Sequence, residues 1–474
     1  MKTITTLALA ALCCTSLWAQ PAAVAAAPTA FPKGMPGFGA DPALPALKIT
    51  RSRLPNGLEV WVVPRTGLPR VDAVLAVRSA GTAADGPGQA GFTALLADLL
   101  SEGTQQRDAR TLAQDVQALG GSLSASAAAD GITLGAQALA SQAGPLLQLL
   151  AEVARQPAFA EEEVKLAQGN ALQALKASGA QPGFRAEGAM ARALYGEHAY
   201  GRGQPTEAGI AAATPAALRQ AHAQRFRPER ALLVIAGRIT AAQGQALTRT
   251  AFGGWKASGE AALATPAAPR QAAPARLLLE RPGSVQATLR LGRLSEPASG
   301  PDLVPLRVAT AVLGDGFTSR INMNLREDKG YTYGASLRAR ALREGGALVG
   351  GADVRNEVTG AALTEFQSEF KRMANTPVPP RELQQTKRYL AGSYLVGLQT
   401  QDAVAGALAR NWMVGLPATH VVDYVAQVRA VTAPQVQTVA KKYFVPEAYS
   451  IVVVGDPAVA PQLLPFGKFE AKKP

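Results

Sequence analysis

T-P-A-A-L-R-Q-A-H-A-Q-R-F-R-P-E-R-A-L-L-V-I-A-G, Thr214 to Gly237, occurs twice in outline. The second copy, Thr432 to Gly455, reads T-A-P-Q-V-Q-T-V-A-K-K-Y-F-V-P-E-A-Y-S-I-V-V-V-G and aligns without a gap. Phe226 and Phe444, Pro228 and Pro446, Glu229 and Glu447, Val234 and Val452, and Gly237 and Gly455 coincide. Each copy is a helix start, a helix, a Pro-Glu break and an apolar run of strand length that ends in Gly. A period this long marks a duplicated domain rather than a solenoid.

Outward from the first copy, Leu54-Pro55-Asn56-Gly57 is a turn before the strand Leu58 to Val63. Arg70 to Arg78 is a second strand. Lys256 to Ala275 is rich in Ala and Pro and reads as a linker. The second half opens with strands Arg276 to Glu280 and Gln286 to Gly292, followed by helices around Leu303–Leu313, Ala361–Met373 and beyond Pro380. Strands segregated from helices in each half predict an α+β fold: two similar domains, 47–255 and 276–474, each a mostly antiparallel sheet backed by helices.

Residues 1–19 read as a signal peptide, with Lys2 as the charged start, Leu7 to Leu17 as the apolar stretch and Leu17-Trp18-Ala19 as the cleavage site. The apolar run is too short to span a membrane. Leu12 is a poor residue before a lipidated cysteine. Both cysteines, Cys13 and Cys14, lie in this segment, so the mature chain has no thiol chemistry. Residues 20–46 read as a flexible leader. The expected location is the periplasm or the medium. The net charge is +13, but the basic residues are dispersed and no nucleic-acid motif accompanies them, so nucleic acid is not the expected partner. The pair Gly314 and Gly316 lacks the Lys-Ser/Thr of a phosphate loop.

Leu325 to Ala335 reads L-R-E-D-K-G-Y-T-Y-G-A. It predicts a helix ending an apolar run that begins near Leu306, stopped by Gly330 in a left-handed conformation. Tyr331 and Tyr333 alternate with small residues, as on a strand. Arg326 offers five fixed donors and Tyr331 a phenol, a pair suited to a peptide carbonyl; on the residues alone, a helix end with a basic residue on its dipole and a packing tyrosine is the commoner reading. Gly91 to Thr104 reads G-F-T-A-L-L-A-D-L-L-S-E-G-T, with Phe92, Leu95, Leu96, Leu99 and Leu100 as a core stripe. Ala94, Ala97, Asp98 and Ser101 are expected on the opposite face.

With the preceding L-G-D-G-F-T-S-R (Leu313 to Arg320), the Arg-Tyr stretch resembles the C-terminal domain of insulinase/pitrilysin-type metallopeptidases. These inverted-motif zinc enzymes include the mitochondrial processing peptidases and short bacterial relatives. The resemblance implies two α+β domains closing like a clam around a peptide. It also implies that Arg326 and Tyr331 bind the substrate backbone and steady a tetrahedral intermediate. In active relatives the helix matching Phe92 to Ser101 carries H-x-x-E-H. Counted back from Gly103-Thr104, the His positions fall on Ala94 and Asp98 and the Glu position on Ala97. The third ligand falls on Ala174, beside Gln173.

Zinc hydrolysis needs imidazoles to hold the ion and a carboxylate to take a proton from its water. Two methyls and one aspartate do not supply that set. His198, His222 and His420 are too scattered to rebuild it. No cofactor is expected in this chain. Ser124-Ala125, in G-G-S-L-S-A-S-A-A-A-D-G-I-T (Gly120 to Thr133), stands where relatives pair a strand with the substrate. Main-chain pairing there tolerates the change, and a plain core or edge strand is an equal reading.

The resemblance therefore implies a non-catalytic subunit. It would pair as a heterodimer with a zinc-bearing homologue, act on peptides, and lend Arg326 and Tyr331 to the partner's site. The alternative is a structural or peptide-binding scaffold without a catalytic role. A zinc-independent hydrolase is the weakest reading, because no G-x-S-x-G elbow and no mature cysteine are present.

Overall fold

The computed structural model describes residues 47–473; the expected signal peptide and leader lie outside the described residues. In the first half the chain runs β1 (Thr50–Arg53), β2 (Glu59–Pro64), β3 (Arg70–Arg78), α1 (Phe92–Leu99), α2 (Ala109–Ala118), β4 (Ser122–Ala127) and β5 (Gly131–Leu139). It continues through α3 (Ala143–Arg155), α4 (Glu161–Gly179), α5 (Pro182–Tyr195), α6 (Glu207–Ala211), α7 (Pro215–Arg225), β6 (Ala231–Gly237) and α8 (Ala241–Phe252).

The second half runs β7 (Arg276–Glu280), β8 (Gln286–Ser295), α9 (Leu303–Leu313), α10 (Arg320–Asn322), β9 (Ala335–Ala341), β10 (Gly346–Arg355) and α11 (Thr359–Asn375). Then come α12 (Pro380–Val396), α13 (Gln401–Met413), α14 (His420–Ala430), α15 (Ala433–Tyr443), β11 (Ser450–Gly455), α16 (Ala460–Leu463) and β12 (Glu470–Lys472).

The repeated stretch folds alike in both copies. Thr214 caps α7 by accepting from the Ala217 amide, and Thr432 caps α15 through a reciprocal box with Gln435. Pro in the first turn of each helix costs no hydrogen bond. The following strands, β6 and β11, are buried along their whole length. Each sits at the centre of a six-stranded mixed sheet, ordered β1-β2-β6-β3-β5-β4 and β12-β7-β11-β8-β10-β9.

Position for position the ladders correspond. β2 and β7 run parallel to the central strands, and the remaining inner pairs are antiparallel. The outermost strands differ: β1 is a hairpin partner of β2, whereas β12 returns from the C-terminus to lie parallel to β7. The α+β duplication holds.

One face of each sheet packs on helices of its own half. The other face is covered by a helix from the opposite half. Trp61, Val63, Leu232 and Val234 of the first sheet bury against Leu408 and Trp412 of α13. Val452 and Val454 of the second bury against Met190 and Leu194 of α5. From Leu47 onward the chain is therefore one compact unit.

Two local expectations fail. The apolar run from Leu306 is not continuous: α9 stops at Leu313, a turn intervenes, and a new helix starts at Arg320. Tyr331 to Tyr333 are not strand. β9 begins at Ala335, because the segment before it is held by side chains, with Thr332 bonding Gly334 and Asn322 accepting from the Ala335 amide at 3.1 Å.

Candidate functional site

α1 is anchored from within. Asp85 accepts from the Thr93 amide at 3.1 Å and from its hydroxyl, and Arg225 of α7 donates to Asp85 and Thr93. Asp85 and Arg225 are each only 5% exposed. Burial raises the Asp85 carboxyl above its ordinary range, against the pull of Thr93 and Arg225. No periodic signal marks this pair in the sequence.

The core stripe of α1 is buried as expected. Ala94 and Asp98 are exposed one turn apart, but Ala97 is fully buried and does not share their face. α4 and β4 flank α1 on either side, and Ala97 lies in the core cluster they help to close. Ala174 is exposed on α4, which packs against α1. The four positions thus carry three methyls and one carboxylate. They do not fit a catalytic zinc, which takes three nitrogen or oxygen ligands. Among the described residues no three His, Cys, Asp or Glu converge on a possible metal position. Partial burial raises Asp98, and burial together with Glu163 and Asp98 raises Glu102.

β4 is one edge of the first sheet, β1 being the other, and lies beside α1. The hairpin bond from the Ala128 amide to Gly131 sets the alternation with β5. Ser122, Ser124 and Ser126 therefore bond inward to β5, and the main-chain groups of Leu123, Ala125 and Ala127 point outward. The Ser124 side chain is exposed and Ala125 is half-buried.

β9 is the corresponding edge of the second sheet, yet its outward amides are partly used. Ala335 donates to Asn322 and Leu337 to Gly314 at 3.0 Å. The Gly314–Gly316 turn is therefore structural. Of the two edges, β4 is the one open to a peptide strand over its whole length.

Arg326 lies in a π-helical stretch, Met323–Asp328, that continues α10. Such turns displace side chains from the regular helical spacing. Its guanidinium stacks 4.4 Å from the ring centroid of Phe317, which is 60% exposed, and Glu327 approaches its Nε at 3.4 Å. Stacking occupies the face of the guanidinium and leaves its rim donors available. Asn322, buried, donates to the Phe317 carbonyl at 2.6 Å and accepts from Ala335, tying turn, helix and strand together. Gly330 has φ +62°, and the Tyr331 amide then bonds the Leu325 carbonyl. Tyr331 is half-buried against the second core, whereas Tyr333 is almost wholly exposed. Arg326 and Tyr331 flank one helix end, without a contact between their side chains.

The histidines are structural. His198 bonds the Pro266 carbonyl and the Tyr200 amide. His222 bonds the Ala154 carbonyl and stacks on Phe226, and burial pushes its pKa down to about 4. His420 starts α14 beside Tyr424, and burial lowers it as well.

This arrangement has relatives. The family pattern described as "Insulinase (Peptidase family M16)" matches residues 69–204, and "Peptidase M16 inactive domain" matches residues 212–390. An uncharacterized zinc protease of Mycobacterium leprae is 25% identical over 91% of this chain and 97% of its own. The uncharacterized zinc protease YmxG of Bacillus subtilis is 23% identical over 77% of this chain and 88% of its own. In fold, the M16 inactive domain from Pseudomonas fluorescens superposes with a TM-score of 0.80 at 24% identity, covering 86% of this chain and 98% of that one. A protease from Helicobacter pylori also gives 0.80, at 19% identity, covering 86% and 100%. Two family patterns in tandem, laid over a duplicated sheet of the same form, place the chain in the insulinase-type peptidase family, M16.

Proposed function

We propose that this protein is a non-catalytic peptidase subunit of the periplasm that pairs with a zinc-bearing homologue and completes that partner's site. One observation carries the reading. The first half has lost the donors of a zinc centre, while the second keeps Arg326 stacked and presented beside Tyr331.

An extended peptide would lie along the outward edge of β4, bonded by Leu123, Ala125 and Ala127. Arg326 and Tyr331 would donate to a carbonyl oxygen as it gains negative charge in the partner's reaction. Such a donor is commonly worth about a hundredfold to a thousandfold in kcat. Zinc would belong to the partner alone.

The test is co-expression of the mature chain with a homologue carrying an intact H-x-x-E-H, assayed on fluorescein-labelled casein. The pair should cleave far faster than the homologue alone, and Arg326→Ala should remove most of the gain. A homologue equally active by itself would end the proposal and favour a scaffold.

A further inference from the structure

Beneath α5, where it crosses the β9–β10 hairpin of the opposite half, lies a cavity of about 190 Å³. Glu187, Met190 and Leu194 reach it from one face of α5, at the helical spacing that stacks side chains. Arg340 and Leu342 reach it from the β9 side, and Ala347 and Val349 from β10. Arg340 pairs in register with Ala347, so the charged head and the apolar floor share one sheet face.

Three polar groups there are unspent. The Tyr195 hydroxyl is buried without a hydrogen-bond partner, on a residue only 6% exposed. A buried phenol left unpaired is destabilising, and a ligand acceptor would relieve it. Burial also holds it neutral, with its pKa pushed up to about 12. Glu187 and Arg340 are exposed at the rim, and neither joins any ion pair or hydrogen bond among the described residues.

An apolar floor with a few convergent polar groups is the usual form of a small-molecule site. Two opposite charges at one mouth select a ligand that carries both signs. The volume sets its size: a cavity of about 150 Å³ holds benzene, so this one takes a single apolar side chain and no longer peptide.

We propose that this cavity binds a free apolar L-amino acid, its ammonium on Glu187, its carboxylate on Arg340 and Tyr195, and its side chain between Met190, Leu194 and Val349. This site is independent of the subunit reading above and stands or falls apart from it. Because its walls come from both halves, the bound amino acid fastens α5 to the second sheet.

The test is thermal unfolding and titration calorimetry of the mature chain with L-leucine and L-phenylalanine at millimolar concentration. Either ligand should raise the melting temperature in a dose-dependent way. N-acetyl-L-leucine, lacking the ammonium, and L-leucinamide, lacking the carboxylate, should each bind at least about tenfold more weakly, the loss of one charged contact. Glu187→Gln should abolish the preference for leucine over its acetylated form, and Arg340→Gln the preference over the amide. Tyr195→Phe should weaken leucine about threefold to tenfold. No shift with either amino acid at 10 mM, or equal shifts from all three leucine derivatives, overturns the proposal.

Discussion

At the scale of single residues, the groups with most at stake are buried charges inside the first half. Asp85 and Arg225 fix the start of α1 from inside the protein, so the two charges depend on each other. Arg225→Met would leave a buried carboxylate with only Thr93 to satisfy it. Losses from breaking a buried pair run to about 3–5 kcal/mol. Urea denaturation should show a fall of that order, and adding Asp85→Asn should restore part of it.

His222 gives a pH signature of a different kind. Its folded pKa, about 4, lies below the ordinary value of 6.5, because burial penalises the charged ring. Between those values the unfolded chain binds a proton that the folded chain refuses. Stability therefore falls as pH drops through that window, by up to about 1.4 kcal/mol per unit from this group. Comparing urea midpoints of the natural chain and His222→Gln from pH 7 to 4.5 isolates the effect: the variant should show the shallower decline. Equal slopes would mean that the ring titrates normally in the folded state.

At the scale of elements, β4 offers a sharp contrast between neighbouring residues. The Ala125 amide points away from β5 and the Ser124 amide points towards it. Ala125→Pro should leave the ladder intact, with little change in melting temperature, since an edge strand tolerates proline on its free side. Ser124→Pro should destabilise the hairpin. If the edge takes peptide strands, Ala125→Pro should also weaken the binding of fluorescein-labelled casein, read by anisotropy; unchanged binding would remove β4 from the peptide path.

Elements were also where the sequence was most legible. β6 and β11 announce themselves as apolar runs after Pro-Glu, and their buried, central places follow from that. Tyr331 to Tyr333 misled because alternation of aromatic and small residues looks the same in a side-chain-tethered loop as in a strand. Ala97 misled because the apolar pattern of α1 does not say that α4 and β4 will flank the helix and narrow its exposed face. No periodicity says which sheet an amphipathic helix will cover, so the crossing of α5 and α13 was invisible. Arg326 and Tyr331 were singled out by resemblance, not by periodicity. The stacking of Phe317 and the clasp of Asn322 were not, since both depend on a turn of glycines bringing distant positions together.

At the scale of the whole molecule, the crossing of α5 and α13 makes the two halves interdependent. The seam is reinforced at its tips. Asp130, in the β4–β5 turn, accepts from the Tyr200 hydroxyl and from the Arg343 amide at 3.0 Å, while Tyr200 accepts from the Glu344 amide. Arg78 of β3 stacks 3.8 Å from the Trp412 ring centroid and bonds the Trp412 carbonyl in the last turn of α13. Neither half alone covers both faces of its sheet, and an uncovered apolar face of this size does not stay in water unpaired. The linker, 256–275, has no regular structure and should matter little by comparison. A protease site inserted after Gly259 and cut in the folded protein should therefore leave two fragments that co-elute on gel filtration and melt in one transition. The second half expressed alone, 276–474, should be insoluble or loosely folded, because β8 and β11 would lack α5. Fragments that separate after cutting, each with its own cooperative melt, would show that the halves are ordinary independent domains. Trp412→Ala, which empties part of the seam, should lower the single transition by the roughly 3–5 kcal/mol typical of a large buried aromatic. It should do so for both halves at once, as near-ultraviolet circular dichroism and the loss of helix would report together.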